Sequence, residues 1–378
     1  MLGAVLVLLL LGVVVSACGS SPVAQNWPGL TLAGDRIYVI SGTPQQVYIL
    51  DAETGVQQAT FMPQGEYKGV VYWSPVEVGG GMAFVGFAED GSGTAGLYAF
   101  DPETGQELWS VPAESLIIPP PVYADGVVYF GTSGSSRAST GKLYAVDVET
   151  RAVKPGWPFE AENAIWGAPL IEDGRVYLAA QDHYVYCLDA ETGELIWRQK
   201  VDGAMAEQPT LDAERGVLYV GTLDARVYAL KTDSGEPVEG FEFRAENWVW
   251  SKVLIQDDQL YVTALDGKLY ALDPASGAVI PPYPYDSSKI EDKDDALRAS
   301  PVEAGEFIIV AAESGRVIAT QNAVKQWHWP GGVPEGSVLT TPVVLGNSIY
   351  IVMMNGDVQR LDAENGVPGW TFSSPGSE

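Results

Sequence analysis

The residue types that carry out metal-dependent or acid–base catalysis are sparse in this chain of 378 residues. The two histidines, His183 and His328, lie far apart, and neither has a cysteine or histidine at the spacing of zinc ligands. The densest acidic run, Glu291–Asp295, lacks the alternate spacing and central glycine of an EF-type calcium loop, so we expect a solvated loop. A carboxylate pair formed in three dimensions stays open, because the chain has 49 Asp and Glu residues.

The chain has two cysteines, and the first follows an apolar leader. Residues 1–17 are uncharged, but the run is shorter than the roughly 20 apolar residues that a membrane-spanning helix needs. It ends at a small-residue site, as a secretory signal peptide does. The tetrad Val15–Cys18 resembles the lipobox of bacterial lipoproteins, which implies cleavage before Cys18 and diacylation of its thiol. An ordinary secretory signal with a chance cysteine is the alternative.

These features predict three segments: a signal peptide at residues 1–17, a lipidated cysteine with a short tether at residues 18–28, and a globular part at residues 29–378. The lipoprotein resemblance implies anchoring on the outer side of the cytoplasmic membrane. Because Gly19 and not aspartate follows the cysteine, export to an outer membrane is allowed. The second cysteine, Cys187, is predicted to be a small core residue.

One sequence unit recurs along the globular part. Its clearest copy is VYCLDAETGELIW, Val185–Trp197, whose first residues alternate in character as in a strand. Asp189 is predicted to accept backbone N–H groups in a tight turn, Gly193 to supply a positive φ, and Trp197 to anchor a return strand. The residue that opens the turn recurs at intervals of 41 to 50 residues, at Asp51, Asp101, Asp147, Asp189, Lys231, Asp273, Gln321 and Asp362.

A period of about 40 to 50 residues built from strands is typical of a propeller blade. Two further strand-like runs precede each copy, such as Ala168–Gly174 and Arg175–Gln181. The pattern therefore predicts an all-β fold, an eight-bladed β-propeller of four-stranded antiparallel blades over residues 29–378. Ring closure is expected near Ala24–Trp27 and Trp370–Ser373, and the sequence leaves open which strand is exchanged.

The A-x-D-x-x-T-G-x-x-x-W copies resemble the pyrroloquinoline-quinone-type (PQQ-like) propeller repeat over nearly all of the chain after residue 28. With eight repeats behind a lipoprotein leader, the plan is similar to the propeller lipoproteins of the outer-membrane β-barrel assembly machinery. This resemblance implies a scaffold that binds other membrane or envelope proteins. The repeat itself specifies the fold and not the function, since one propeller can host many activities.

Quinone-dependent dehydrogenases also carry this repeat, and the resemblance implies what such an enzyme would need. It would hold a planar cofactor in the central channel, against a calcium ion and a disulfide between adjacent cysteines, with an acidic catalytic base. The chain has no adjacent cysteines and no compact insertion of Asn, Asp and Glu. We therefore predict no catalytic residue, no metal and no cofactor, and place a quinoprotein-type enzyme third among the function classes.

Tryptophans are the clearest candidates for contacts with a partner or ligand, and the chain has 11 of them. Those that close a repeat, where two other units have Phe61 and Phe241, are predicted to pack between blades. They are Trp109, Trp157, Trp197, Trp327 and Trp370. Most of the others lie just before an inner strand, and two share a longer motif, AENAIW (Ala161–Trp166) and AENWVW (Ala245–Trp250).

In a propeller, the connections between blades gather on one face around the mouth of the central channel. We therefore predict a ring of partner- or ligand-binding residues there, with Asn26 and Trp27 at its seam. Exposed aromatic and arginine side chains are common anchors at protein interfaces, and aromatic rings also stack on sugars. Ordinary packing that plugs the mouth is the alternative. The predicted residues are Tyr72, Trp73, Trp166, Trp248, Trp250 and Arg298.

The net charge of −28 and the pI of about 4.2 argue against electrostatic binding of nucleic acid or anionic lipid head groups. Such a surface favours solubility and would steer a basic partner toward it. The leading hypothesis is a non-enzymatic, membrane-anchored scaffold for envelope proteins. The second is a protein that binds a carbohydrate or another small ligand at the channel mouth.

Overall fold

The computed structural model describes residues 29–42, 45–63, 70–89, 94–134, 140–287, 295–329, 338 and 340–375. The strands in these residues form eight antiparallel sheets in chain order, which are the blades of a β-propeller. The predicted eight-bladed fold is therefore confirmed. No helix in the described part of the chain is long and apolar enough to cross a membrane.

Blades one to four are numbered in chain order and contain the first 18 strands. Blade one has β1 (Leu30–Ala33), β2 (Arg36–Ser41), β3 (Gln46–Asp51) and β4 (Gln57–Phe61). Blade two has β5 (Val70–Tyr72), β6 (Glu77–Gly79), β7 (Met82–Glu89), β8 (Ala95–Phe100) and β9 (Glu107–Ala113). Blade three has β10 (Val122–Ala124), β11 (Val127–Gly131), β12 (Lys142–Asp147), β13 (Ala152–Val153) and β14 (Phe159–Glu160). Blade four has β15 (Leu170–Glu172), β16 (Arg175–Ala179), β17 (Tyr184–Asp189) and β18 (Leu195–Lys200).

Blades five to eight repeat the same four-strand order. Blade five has β19 (Thr210–Asp212), β20 (Val217–Gly221), β21 (Arg226–Lys231) and β22 (Phe243–Arg244). Blade six has β23 (Leu254–Gln256), β24 (Gln259–Thr263), β25 (Lys268–Leu272) and β26 (Tyr285–Asp286). Blade seven has β27 (Val302–Ala304), β28 (Phe307–Ala311), β29 (Val317–Gln321) and β30 (Val324–Trp329). Blade eight has β31 (Val343–Leu345), β32 (Ser348–Val352), β33 (Val358–Asp362) and β34 (Pro368–Phe372).

The turn between the third and fourth strands forms as the repeated motif predicts. In blade four, Oδ1 of Asp189 accepts the backbone N–H groups of Glu191 and Thr192 at 3.0 and 2.8 Å. Gly193 has φ of 73°, a conformation that costs glycine little. These hydrogen bonds lower the pKa of the Asp189 carboxyl group. The other aspartates of the motif accept the same bond from the residue three positions later: Asp51, Asp101, Asp147, Asp273 and Asp362.

The outer strand departs from the simple prediction in three blades. In blade three it is broken into β13 and β14, which both pair with β12. In blades five and six only a short strand and one isolated bridge, at Pro237 or Val279, pair with the third strand. Proline interrupts these segments at Pro155, Pro237 and Pro281. Because proline has no backbone N–H, it cannot complete the hydrogen bonds of a regular strand.

The hydrophobic core is divided into clusters that lie between neighbouring blades. One cluster joins Tyr38 and Ile49 of blade one to Tyr72 and Val85 of blade two. The predicted packing role of the repeat-closing aromatics is confirmed for four tryptophans and a phenylalanine, which are buried: Trp109, Trp157, Trp197, Trp327 and Phe61. Trp370 and Phe241 are half-buried and pack on the edges of their clusters. Cys187 is a buried core residue of blade four, and burial raises the pKa of its thiol to about 11.

A recurrent hydrogen bond ties each of several blades to the next. The acceptor is the carbonyl of the residue after the turn-opening position, and the donor is a tyrosine hydroxyl or a tryptophan Nε1 of the preceding blade. Distances range from 2.8 to 3.3 Å. The pairs are Tyr38 with Pro102, Tyr129 with Ala190, Trp197 with Thr232, Tyr219 with Pro274, and Trp327 with Ala363.

The ring closes with the same hydrogen bond and without strand exchange among the described residues. Blades one and eight each draw all four strands from their own end of the chain. The carbonyl of Ala52 in blade one accepts Tyr350 Oη at 2.9 Å and Trp370 Nε1 at 3.2 Å from blade eight. The buried Ser41 and Ser374 hydroxyls bond at 2.6 Å. Contacts near Trp370 thus close the ring as expected, while Ala24–Trp27 lie outside the described residues.

Tyr350→Phe and Tyr219→Phe are therefore expected to destabilise the protein equally, by about 0.5–1.5 kcal/mol each. Each change removes one hydroxyl that donates to a neighbouring blade, across the ring closure for Tyr350 and inside the ring for Tyr219. Urea unfolding of the two variants measures the loss. A much smaller effect at Tyr350 would show that the closure contributes less than the internal interfaces.

Candidate functional site

The two AEN motifs form matching rigid loops on one face of the propeller. In the first, the N–H of Glu162 donates to Asp182 Oδ2 at 2.9 Å, and Asn163 Oδ1 accepts the N–H of Ala164 at 2.8 Å. The Tyr186 hydroxyl also donates to Asp182, at 2.7 Å. The second loop repeats these bonds at equal or nearly equal distances with Glu246, Asp266, Asn247, Trp248 and Tyr270. These bonds fix the backbone that leads into Trp166 and Trp250.

Strand pairing shows that four of the six predicted mouth residues occupy one equivalent position in their blades. In blade four, for example, Ile171 of the inner strand pairs with Val176, the second residue of the next strand. Trp166 lies five positions before Ile171, and the same count can be made in the other blades. The equivalent inner-strand residues are Val78, Ile171, Ile255 and Glu303. Counting back five from each gives Trp73, Trp166, Trp250 and Arg298. The same count gives Ile118 in blade three and Ala206 in blade five.

Three of these residues contact one another, and we name Trp166, Trp250 and Arg298 the mouth cluster. The two indole rings, from connections two blades apart, have centroids 6.1 Å apart and planes inclined by 31°. The small side chain of Ala206 occupies the equivalent position between them. Arg298 lies over the Trp250 ring at 4.6 Å, and its Nε donates to Glu313 Oε1 at 2.7 Å. All three residues are partly exposed, so the cluster is a preformed aromatic and cationic surface.

The other predicted mouth residues lie outside this cluster. Tyr72 is fully buried, packs against Phe61 with ring centroids 6.2 Å apart, and so belongs to the interface between blades one and two. Trp73 and Trp248 are partly exposed, and neither makes a ring contact with the cluster within the described ranges. The backbone of Trp248 is held by Asn247 and by the N–H of Leu265. Trp27 and Asn26 lie outside the described residues.

A set of polar side chains continues the connections toward the channel. Lys252 Nζ donates to Gln208 Oε1 at 2.6 Å, and Gln208 Nε2 donates to the carbonyl of Pro169 at 2.7 Å. The N–H of Lys252 donates to Ser300 Oγ at 2.9 Å, and the N–H of Ser300 donates to Thr341 Oγ1 at 3.1 Å. These bonds link the inner connections of blades four to eight side by side.

Glu207 adds an acidic group to this polar set. Its side chain is partly accessible but is surrounded by protein on nearly every side, and this burial raises its pKa to about 7. The charge of Lys252 opposes that rise, and burial in turn lowers the pKa of Lys252. The carboxyl group of Glu207 therefore changes protonation near neutral pH.

Sequence reasoning did not find several of these residues. Asp182 and Asp266 lie just after the second strand of their blades, in the segments QDHY and LDGK. An aspartate therefore follows each AEN motif at the same distance, and this repetition could have identified the pair. Glu207 and Lys252 belong to no repeated motif. The bond between Lys252 and Gln208, the residue next to Glu207, forms only where two adjacent blades meet. Among the described residues, no group of three or more His, Cys, Asp or Glu side chains is arranged to hold a metal ion. Most of the acidic run at 291–295 lies outside the described residues.

A family model of the outer membrane protein assembly factor BamB matches the chain at residues 46–163, 139–215, 184–280 and 287–378. The chain belongs to the BamB family. The first three matched segments overlap, and the four together extend over all eight turn-opening positions of the repeat. No curated protein is significantly similar in sequence.

Solved structures with the same fold include members of several functional classes. BamB from Moraxella catarrhalis is 18% identical, with a TM-score of 0.68 over 88% of this chain and 92% of that chain. The computationally designed Ika8 protein is 15% identical, with a TM-score of 0.69 over 89% and 96%. A europium-containing methanol dehydrogenase is 14% identical, with a TM-score of 0.67 over 90% and 83%. At these identities the similarity establishes the propeller fold alone.

Proposed function

We propose that this chain is a non-enzymatic, lipid-anchored scaffold that binds other envelope proteins during outer-membrane protein assembly. Membership of the BamB family is the observation that carries the proposal. The partners are membrane or envelope proteins, and nucleic acid is not among them, because the net charge of −28 repels it. The scaffold uses no cofactor and has no catalytic residue.

The mouth cluster supplies the partner-binding surface in this proposal. Trp and Arg are enriched among the few residues that dominate the free energy of protein–protein binding. Here Glu313 and the Trp250 ring already hold the Arg298 guanidinium in place. The hydrogen-bonded AEN loops likewise hold the backbone that leads into Trp166 and Trp250 before a partner arrives. A surface ordered in advance loses less conformational entropy on binding, which favours affinity.

Cys18 supplies the membrane anchor in this proposal. Diacylation buries two hydrocarbon chains, and two such signals are enough for stable attachment to a bilayer. The segment at residues 18–28 would span at most about 40 Å when fully extended. The propeller would therefore stay close to the membrane surface, where other membrane proteins are within reach of the mouth cluster.

Cys18→Ser is expected to abolish lipid attachment and to release the protein from the membrane fraction. The serine hydroxyl cannot replace the thiol that accepts the diacylglyceryl group. Metabolic labelling with a radioactive fatty acid and cell fractionation measure the two effects. Cys187→Ser is the matched control and should retain the label. Full labelling of Cys18→Ser would contradict the lipoprotein assignment.

Co-purification tests the scaffold role directly. A tag at the C-terminus allows recovery of the protein from membranes of its host under gentle detergent extraction, and mass spectrometry identifies the companions. The proposal expects envelope or outer-membrane proteins in stoichiometric amounts. Recovery of the chain alone, under conditions that preserve other membrane complexes, would overturn it.

A further inference from the structure

Blade five carries an acidic residue at a position that is small or uncharged in the other described blades. We call the shared position of Trp73, Trp166, Trp250 and Arg298 the mouth position. The acidic residue lies one residue after the mouth position of blade five, and strand pairing identifies the same position in the other blades. Glu207 occupies it in blade five, and the other blades have Ser74, Pro119, Gly167, Ser251, Ala299 and Thr340. The pattern of the repeat therefore gives no structural reason for a carboxyl group there.

Lys252 follows Trp250 by two residues in the connection between blades five and six. The buried Ser251 lies between them, and its hydroxyl donates to the carbonyl of Thr263 at 3.0 Å. A lysine ammonium has three donors. One donates to Gln208 Oε1, and the others have no protein acceptor among the described residues. Lys252 is partly exposed, so these donors are available to a ligand in the channel mouth.

The two indoles leave no room for a ligand ring between them, because their centroids are 6.1 Å apart and their planes are inclined by 31°. Arg298 lies over the Trp250 ring. The partly exposed Trp166 ring can instead stack against the apolar face of a saturated ring. The Gln208 amide and the Thr341 hydroxyl lie along the adjoining polar set, are partly exposed, and can exchange hydrogen bonds with ligand hydroxyls.

We propose that the channel mouth binds a carboxylate-bearing sugar ring, with the ring stacked on Trp166 beside Trp250 and the carboxylate hydrogen-bonded to Lys252 and to the carboxyl group of Glu207. The ligand is either a free sugar acid or the end of a glycan, because both present the same chemistry. This site goes beyond the proposed scaffold role and does not depend on it. Lys252 and Glu207 supply its specificity, whereas partner binding rests on the mouth cluster alone.

Binding is linked to protonation. A bound carboxylate adds negative charge beside Glu207 and Lys252, so it favours the protonated form of both groups. Because the pKa of Glu207 is about 7 in the free protein, affinity is expected to be highest below neutral pH and to fall as pH rises above it. Several other charged or titratable groups lie on the connections and turns of these blades. They include Glu162, Asp182, His183, Asp202, Asp224, Glu246, Asp266, Asp295, Arg298, Glu313 and Arg316.

Titration of the detergent-solubilised full chain with sodium D-glucuronate, followed by tryptophan fluorescence, tests the proposal. We expect saturable quenching with glucuronate. D-Glucose, which lacks the charge, and acetate, which lacks the ring, should each bind at least about tenfold more weakly. A glucuronate-terminated oligosaccharide distinguishes the sources: tighter binding than the monosaccharide indicates a glycan end, and equal binding indicates the free acid. No saturation with glucuronate, or equal affinity for glucose, would overturn the proposal.

Two single substitutions test the roles of Lys252 and Glu207 separately. Lys252→Met should weaken glucuronate binding about 10- to 100-fold, the range expected for a charge-assisted hydrogen bond. Glu207→Gln should retain binding but lose its dependence on pH between about 6 and 8. An unchanged affinity in Lys252→Met, or an unchanged pH profile in Glu207→Gln, would contradict the site. Both variants should still co-purify partners, so loss of glucuronate binding and failure of the scaffold role are separate results.

Discussion

Replacing Phe61 by alanine is expected to lower the free energy of unfolding by about 3–5 kcal/mol. Phe61 is fully buried and stacks on Phe100 with ring centroids 4.4 Å apart and planes inclined by 4°. Its ring also contacts Tyr98 and Tyr72 of blade two, at 5.6 and 6.2 Å between centroids. Truncation would leave a cavity between two rigid sheets, which cannot collapse to fill it. Urea unfolding monitored by circular dichroism measures the loss.

The adjacent Met62 provides the matched control for this change. Its side chain is 56% exposed, so Met62→Ala should change stability by less than about 0.5 kcal/mol. Phe61→Leu, which keeps most of the buried volume, should fall between the two. Equal stability of Phe61→Ala and Met62→Ala would show that the interface between blades one and two does not depend on the repeat-closing aromatic.

Replacing both Trp166 and Trp250 by alanine is expected to weaken partner binding at least about 100-fold. Hot-spot tryptophans contribute about 2 kcal/mol or more each, and 1.4 kcal/mol corresponds to a tenfold change in affinity. The double change also removes the ring on which Arg298 lies. Quantitative co-purification from detergent-solubilised membranes, with partner recovery normalised to the tagged chain, measures the effect.

The control for this double variant removes apolar surface of similar character far from the mouth. Leu195 and Ile196 are 47% and 46% exposed on the outer strand of blade four. Their replacement by alanine should leave partner recovery unchanged. If the outer-strand variant loses the partner and the mouth variant keeps it, the binding surface lies on the outer edge of the blades. Thermal unfolding of both variants shows whether either change affects folding.

The repeat was predictable because its determinants are local. Asp189 and Gly193 specify the turn through contacts within four residues, and the strand pattern on each side specifies pairing with adjacent strands. The equivalence of Trp73, Trp166, Trp250 and Arg298 also follows from sequence spacing, since each precedes an inner strand by the same count. Their equivalent place in the repeat could therefore be predicted, but not which of their side chains touch.

Other features depend on contacts between blades and carry no local signal. Trp166 and Trp250 come from connections two blades apart, and Tyr72 packs against Phe61 of the neighbouring blade. Ring closure between the described parts of blades one and eight involves bonds from Tyr350 and Trp370 to Ala52, which are about 300 residues apart in sequence.

Photo-crosslinking in living cells tests most directly the claim that the channel mouth binds a partner. A photoreactive phenylalanine analogue at Trp73, which occupies the mouth position but lies outside the mouth cluster, should give a discrete adduct with an envelope protein. The same analogue at Leu195 on the outer edge should give none. An adduct at Leu195 and none at Trp73 would contradict the account and place the binding surface on the outer strands.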